Sequence, residues 1–281
     1  MLRRWCVLLA MLAVTAGTAL TASSALAATG ELTGHAGLGD GGWPWPPPGT
    51  QGWVPGGPVN LIGRTFASHS GQAQSTNWSG YAATTGTYTS VSANWVQPAG
   101  HCTGGNQYAA FWVGLDGYSS STVEQTGSEV DCIGRTAEYS AWYEAYPAAS
   151  MNYNNIVKAG DSFTATVTYT TGNQFSLYID DITEHWSHTT VVTVANAART
   201  SAEVIAEAPC CTFFGGILPL TNFGTMNFTG SMANGADLGA AGGLTEITMV
   251  DNFNRNKDTC SALTPSGVTG QNFSCTFVRS N

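Results

Sequence analysis

The chain has 281 residues, of which 43% are hydrophobic and only 10% are charged. That length allows one large domain or two small ones with a sizeable core, which excludes wholesale disorder. Nine Lys and Arg against 18 Asp and Glu give a net charge of −9, so the basic footprint of a nucleic-acid-binding protein is missing. An ordinary soluble domain carries roughly 25% charged residues. The 34 glycines favour a turn-rich, all-β protein, and its low charge needs a physical reason.

The N-terminus has the layout of a secretory signal peptide. Two arginines precede an apolar run over residues 5–22, and small residues follow in an A-x-A arrangement that ends at Ala27. We therefore predict a signal peptide over residues 1–27 and a secreted, extracellular protein without a membrane contact after cleavage. The alternative is a membrane anchor, but the run is short and interspersed with Ala, Thr and Gly.

Residues 28–74 are predicted to be a Gly/Pro-rich linker or a short propeptide. Between residues 37 and 58, glycine and proline fill 14 of 22 positions. Proline lacks a backbone N–H and fixes φ, so such a stretch forms neither a helix nor a central strand. The globular domain is accordingly expected over residues 75–281.

Within this domain the hydrophobic pattern has a period of two. Phe163, Ala165 and Val167 alternate with threonines, and Phe175 and Leu177 alternate with polar neighbours. Alternation of this kind, interrupted by turn signals, is typical of half-buried strands in a sandwich or barrel. The length favours an all-β sandwich of two large antiparallel sheets packed face to face, with a concanavalin-like architecture.

Six cysteines remain after removal of the signal peptide, an even number that suits an oxidising compartment. Proximity along the chain predicts the bonds Cys102–Cys132 and Cys260–Cys275. The neighbouring Cys210 and Cys211 are expected not to pair with each other, because such a bond is strained. A zinc site is the alternative, although no C-x-x-C pair exists and the two histidines at residues 185 and 188 form a weak motif.

Several catalytic classes lack their motifs in this sequence. There is no G-x-S-x-G elbow, no Asp-Thr-Gly or Asp-Ser-Gly string, and no cysteine expected to be free as a nucleophile. Carboxylate and amide chemistry on strands remains. In the string of residues 202–209, Glu203 and Glu207 share a face but lie about 13 Å apart at the usual strand rise, too far to share a proton.

Four strings together resemble the glutamic peptidases (eqolisins), a family of secreted, acid-active endopeptidases. The first is N-W-S-G-Y at residues 77–81, and the others are W-V-G-L-D-G with the following E-Q-T-G, W-Y-E-A-Y-P and A-E-V-I-A-E. The resemblance covers roughly residues 75–281 and implies a sandwich of two antiparallel sheets. One departure is Val204, where relatives usually carry an aromatic residue.

The resemblance implies a catalytic dyad of Gln125 and Glu207, in which Glu207 acts as general base and then acid on a water molecule. Gln125 would orient that water and stabilise the oxyanion. Glu203 matches a family position that is not the catalytic carboxylate. The cleft is implied to be lined by Trp112, Asp116, Trp142, Glu144 and Tyr146. Protein or peptide substrates, no metal, no cofactor and a monomeric chain are expected.

The alternative function is a carbohydrate-binding or glycoside-hydrolysing sandwich, since tryptophans and paired carboxylates also suit sugars. Convergence of Gln125 and Glu207 in one cleft would favour the peptidase. Convergence of two carboxylates without Gln125 would favour the glycosidase. An inactive homologue is a third possibility. In the peptidase interpretation, the scarcity of charge becomes an adaptation, because few basic groups repel one another once the carboxylates are protonated in acid.

Overall fold

The computed structural model describes residues 71–210 and 216–281. The predicted signal peptide and almost all of the predicted linker lie outside these residues, as does Cys211. The first strand begins at Gln72, three residues before the expected start of the domain. No helix in the described part of the chain is long and apolar enough to cross a membrane.

The described residues form sixteen strands and two short 3-10 helices, Leu238–Ala240 and Gly267–Thr269. The strands are β1 (Gln72–Ser75), β2 (Trp78–Ala83), β3 (Ser90–Val96), β4 (Gln107–Leu115), β5 (Val123–Ile133), β6 (Thr136–Tyr146), β7 (Met151–Asn152), β8 (Ser162–Tyr169), β9 (Gln174–Asp181), β10 (Trp186–Thr193), β11 (Ala202–Glu207), β12 (Thr225–Ala233), β13 (Ala236–Asp237), β14 (Leu244–Val250), β15 (Asn256–Cys260) and β16 (Phe273–Phe277).

The strands form two layers that are packed face to face. The first layer has the order β10-β9-β8-β3-β12-β16, and β15 connects it to the second layer, which has the order β14-β2-β11-β4-β5-β6-β7. Strands β3, β8 and β9 pack against β11, β4 and β5. Every pairing between described strands is antiparallel except that of β1 with β14. The predicted sandwich of large antiparallel sheets is therefore confirmed, with one parallel pair at the rim.

The first layer follows the predicted alternation closely. Phe163, Ala165 and Val167 of β8 are buried, while the threonines between them are partly exposed. Strand β9 repeats the pattern with Phe175 and Leu177. These side chains enter the main hydrophobic core between the layers. One face of the first layer is therefore apolar and the other is in contact with solvent, as the period of two indicated.

The second layer departs from this pattern, because β2, β4, β5 and β11 are buried on both faces. One face lies on the main core. The other face packs its apolar side chains into a second cluster that includes Trp78, Trp112, Trp142 and Ile205. Polar side chains on that second face are consequently removed from water, and they form the candidate site.

Two disulfide bonds have both cysteines within the described residues. Cys102 is bonded to Cys132 and Cys260 to Cys275, with Cα–Cα distances of 5.3 and 4.0 Å. Both predicted pairings are confirmed. The prediction for Cys210 and Cys211 concerns a residue outside the described part of the chain.

The core predicts a strong contrast between two identical substitutions. Phe228 is fully buried between the layers, whereas Phe253 is 80% exposed. We expect F228A to lower the free energy of unfolding by about 3–5 kcal/mol, because it removes buried area and leaves a cavity. F253A is the matched control and should change it by no more than about 0.5 kcal/mol. Urea unfolding measures both values, and equal effects would contradict the described core.

Candidate active site

The candidate site is built on one face of four neighbouring strands, which we call the polar face. It comprises the side chains of β11, β4, β5 and β6 that point away from the main core. Directly opposed residues of antiparallel strands project to the same side of a sheet, so the register defines three rungs across this face. From β11 to β6 they are Glu203-Gly114-Gln125-Glu144, then Ile205-Trp112-Gly127-Trp142, then Glu207-Ala110-Glu129-Ser140.

Two glycines make room around Trp112 on the middle rung. A Cβ atom on Gly127 would lie 2.6 Å from the Trp112 Cβ and 2.1 Å from the Phe111 carbonyl oxygen. A Cβ on Gly114 would lie 2.8 Å from the Trp112 ring. Real Cβ atoms do not approach other atoms so closely, so the glycine of the W-V-G string leaves space for the ring and that of the Q-T-G string allows β5 to approach β4 at Trp112.

Glu207 is fully buried, and two side chains of the described residues donate hydrogen bonds to it. The indole Nε1 of Trp112 donates to Oε2 at 2.8 Å, and the amide Nδ2 of Asn77 donates to Oε1 at 3.4 Å. Donors of this kind stabilise an ionised carboxylate and fix its orientation. The sequence strings included Asn77 but gave it no role, and only the pairing of β2 with β11 brings it beside Glu207.

Gln125 and Glu144 lie opposite each other on β5 and β6 and are both buried. The Gln125 Nε2 donates a hydrogen bond to the Glu144 Oε2 at 2.5 Å. The Gln125 Oε1 is buried and has no hydrogen-bond partner among the described residues. The amide is therefore held on one side only and retains an oxygen and an N–H for another group.

The charge of Glu207 affects the pKa of Glu144. Burial, together with the negative charge of Glu207, raises the pKa of Glu144 to about 9, while the hydrogen bond from Gln125 acts in the opposite direction. Glu144 is therefore hydrogen-bonded to Gln125 and within the electrostatic influence of Glu207 on the same polar face.

Two of the other cleft residues surround this group. Trp142 is fully buried on the middle rung and belongs to the same cluster as Trp112, with its indole N–H unpartnered among the described residues. Tyr146 lies opposite Val123 at the next position along β5 and β6 and packs partly buried against the cluster.

Asp116 occupies a different environment. It follows β4 in the left-handed region, with a φ of 69°, and is fully buried. Its carboxylate accepts hydrogen bonds from the backbone N–H groups of Arg199 and Thr200, at 2.7 and 3.0 Å, and from the Ser120 hydroxyl at 3.1 Å. In the structure Asp116 therefore holds the segment before β11 in place, and its role as a cleft residue stays a prediction.

The polar face continues beyond Glu207 into further acidic residues that the sequence strings did not single out. Burial raises the pKa of Glu129 to about 7, although hydrogen bonds with Ser140 and Asn152 oppose the shift. Asp131, two residues further, has a pKa well above the usual range because of burial and the charges of Glu129 and Glu138. The available signal was their even spacing from Gln125 along β5, because alternate residues of a strand lie on the same face.

The alternative zinc site finds no support in the described part of the chain. His188 stacks on Tyr153 and its Nε2 lies 2.7 Å from the Asn155 Oδ1. The one metal-like grouping among the described residues is Asp258 with Cys260 and Cys275, whose sulfurs are bonded to each other.

Comparisons with known proteins identify the family. The model of the peptidase A4 family matches residues 76–277. Aspergillopepsin-2 from Aspergillus niger is 28% identical over 253 residues, covering 80% of this chain and 85% of the relative.

Solved structures share the fold. A scytalido-glutamic peptidase in complex with a transition state analog inhibitor superimposes with a TM-score of 0.60 and 24% identity, covering 72% of this chain and 98% of the other. The aspergilloglutamic peptidase from Aspergillus niger gives 0.53 and 24%, covering 61% and 99%. The family model covers most of the chain, and so the chain belongs to the peptidase A4 family, the glutamic peptidases, and is a hydrolase of peptide bonds.

Proposed function

We propose that the protein is a secreted, acid-active endopeptidase that cleaves peptide bonds with a dyad of Gln125 and Glu207. The observation that supports the proposal best is their place on one buried face, where Glu144 contacts the first and is influenced by the charge of the second. The glycosidase alternative called for converging carboxylates without Gln125, and Gln125 lies within this group.

The proposed reaction uses one water molecule and one carboxylate. Ionised Glu207 takes a proton from the water as its oxygen attacks the peptide carbonyl carbon. An N–H of Gln125 donates to the developing oxyanion, and its Oε1 accepts from the attacking water. Protonated Glu207 then gives its proton to the leaving nitrogen as the C–N bond breaks.

Three features favour an enzyme that is exported and active at acidic pH. The predicted signal peptide and the two disulfide bonds suit export. A carboxylate base has an unperturbed pKa of about 4.3, so it is matched to an acidic medium. The substrates are proteins or peptides, and the chain is expected to act as a monomer without a metal or cofactor.

Removal of either dyad side chain should stop cleavage while the fold persists. Q125A removes the oxyanion donor and should lower kcat/KM by about 10²–10³-fold. E207Q removes the general base and should lower it by about 10²–10⁴-fold. The assay is cleavage of a denatured protein at about pH 3–4, where a carboxylate base titrates.

The matched controls are Q174A and E184Q, which make similar changes at the β9–β10 end of the first layer. They should retain the activity of the unaltered protein, and circular dichroism should show that all four variants are folded. Full activity in Q125A or in E207Q would rule out the dyad.

Buried carboxyl groups also make the folded state suited to acid. Burial, with the charge of Asp116, raises the pKa of Glu124 to about 8, and burial raises that of Asp258 to about 7 despite its hydrogen bond from Ser79. Below about pH 3 these groups are mostly protonated in both the folded and the unfolded chain. As the pH rises, the unfolded chain ionises first, so the stability is lost progressively up to the folded-state pKa values.

We therefore expect the urea midpoint to fall steadily as the pH is raised from about 4 to about 8. E124Q should make this decline less steep. Glutamine does not ionise, so the difference between the pKa of Glu124 in the unfolded and in the folded chain no longer contributes to it. D237N, on the partly exposed strand β13, is the control and should leave the decline unchanged. A midpoint that rises over this interval, or an E124Q variant as steep as the unaltered protein, would contradict the buried-acid account.

A further inference from the structure

The Glu144 carboxyl group is held against the side chain of Gln125. It is 2% exposed, lies directly across from Gln125 in the register, and accepts the Gln125 N–H at 2.5 Å. On the other side of Gln125 the rung holds Gly114, which has no side chain to support the amide. Glu144 is consequently the one side chain among the described residues that restrains the amide of Gln125 by a hydrogen bond.

We propose that Glu144 is a positioning residue that acts as a neutral hydrogen-bond acceptor for Gln125 and fixes the amide for catalysis. The inference rests on the proposed dyad and goes beyond it, because it reassigns Glu144 from contact with substrate to control of Gln125. Three rotatable bonds set the orientation of a glutamine amide, so an unrestrained amide would sample several orientations. One anchored N–H leaves the second N–H and Oε1 in a defined direction.

The surroundings of Glu144 favour its neutral form. The titratable groups that face it are Glu207 on β11, Glu203 at the far end of its rung, and Tyr146 on its own strand. No cation among the described residues forms an ion pair with it. The pKa of Glu144 is raised to about 9, so its carbonyl oxygen accepts from Gln125 while its proton stays in place in acid. A neutral Glu144 also leaves the charge of Glu207 undisturbed.

Three substitutions of Glu144 separate this role from the others. E144Q keeps an oxygen acceptor and is neutral, so kcat should stay within about threefold of the unaltered protein. E144L and E144A remove the acceptor, so kcat should fall by at least about tenfold while KM changes by less than about threefold. The fall in kcat should not exceed about 10²–10³, which is the cost of losing an oxyanion donor altogether. Two variants are used in case one of them does not fold, and thermal unfolding shows whether each is folded.

A double-substitution cycle tests whether the effect passes through Gln125. In a Q125A background, E144L should lower the residual kcat by less than about threefold, because there is no amide left to position. A further tenfold loss there would overturn the proposal, as would a rise in KM with unchanged kcat, which indicates substrate binding.

The pH profile gives an independent readout. If Glu144 were ionised in the working enzyme, E144Q would remove a negative charge beside Glu207 and move the acid limb of kcat/KM to lower pH. A neutral Glu144 predicts that this limb stays within about 0.3 pH units. An inactive but folded E144Q, or a shifted limb, would contradict the inference. Full activity of Q125A and E207Q would instead refute the dyad, which distinguishes the two failures.

Discussion

Burial of carboxyl groups on both sides of the second layer is the constraint on which the rest of the structure depends. A charge removed from water is costly unless it is paired, so a buried acid either finds donors or keeps its proton. Glu207 finds donors in Trp112 and Asn77. For Glu144, burial raises the pKa to about 9, which favours the neutral form, and its Oε2 accepts from Gln125. Two carboxyl groups of the same sheet face thus have different surroundings, and such a difference is how proteins assign acid and base roles to paired groups.

The same constraint explains why so few charges occur in the sequence. Low pH favours the folded state of a chain that buries several acids in neutral form, because the same acids are protonated in the unfolded chain as well. Few basic residues then limit the positive charge that accumulates under those conditions. The Asp116 carboxylate is supplied with donors, since the backbone N–H groups of Arg199 and Thr200 and the hydroxyl of Ser120 all donate to it. Low charge and buried acids are consequently both consistent with the proposed activity in acid.

The alternation of Phe163, Ala165 and Val167 was sufficient to predict the first layer, because one face of that layer meets solvent. Strands buried on both faces lack this contrast, so periodicity could not place β4, β5 or β11, and the strings of the glutamic peptidases supplied their site residues. The contact between Gln125 and Glu144 depends on the register of β5 with β6. The bond from Asn77 to Glu207 joins residues 130 apart, and no local pattern encodes that pairing.

The central claim is that Gln125 and Glu207 act on the same peptide bond. A crystal structure of the protein with a peptide-based transition-state analogue, grown at about pH 4, tests it most directly. The account predicts that the tetrahedral oxygens of the analogue lie within hydrogen-bond distance, about 2.6–3.2 Å, of the Gln125 amide and the Glu207 carboxyl group. An analogue bound away from the polar face, or one whose tetrahedral centre contacts neither side chain, would contradict it.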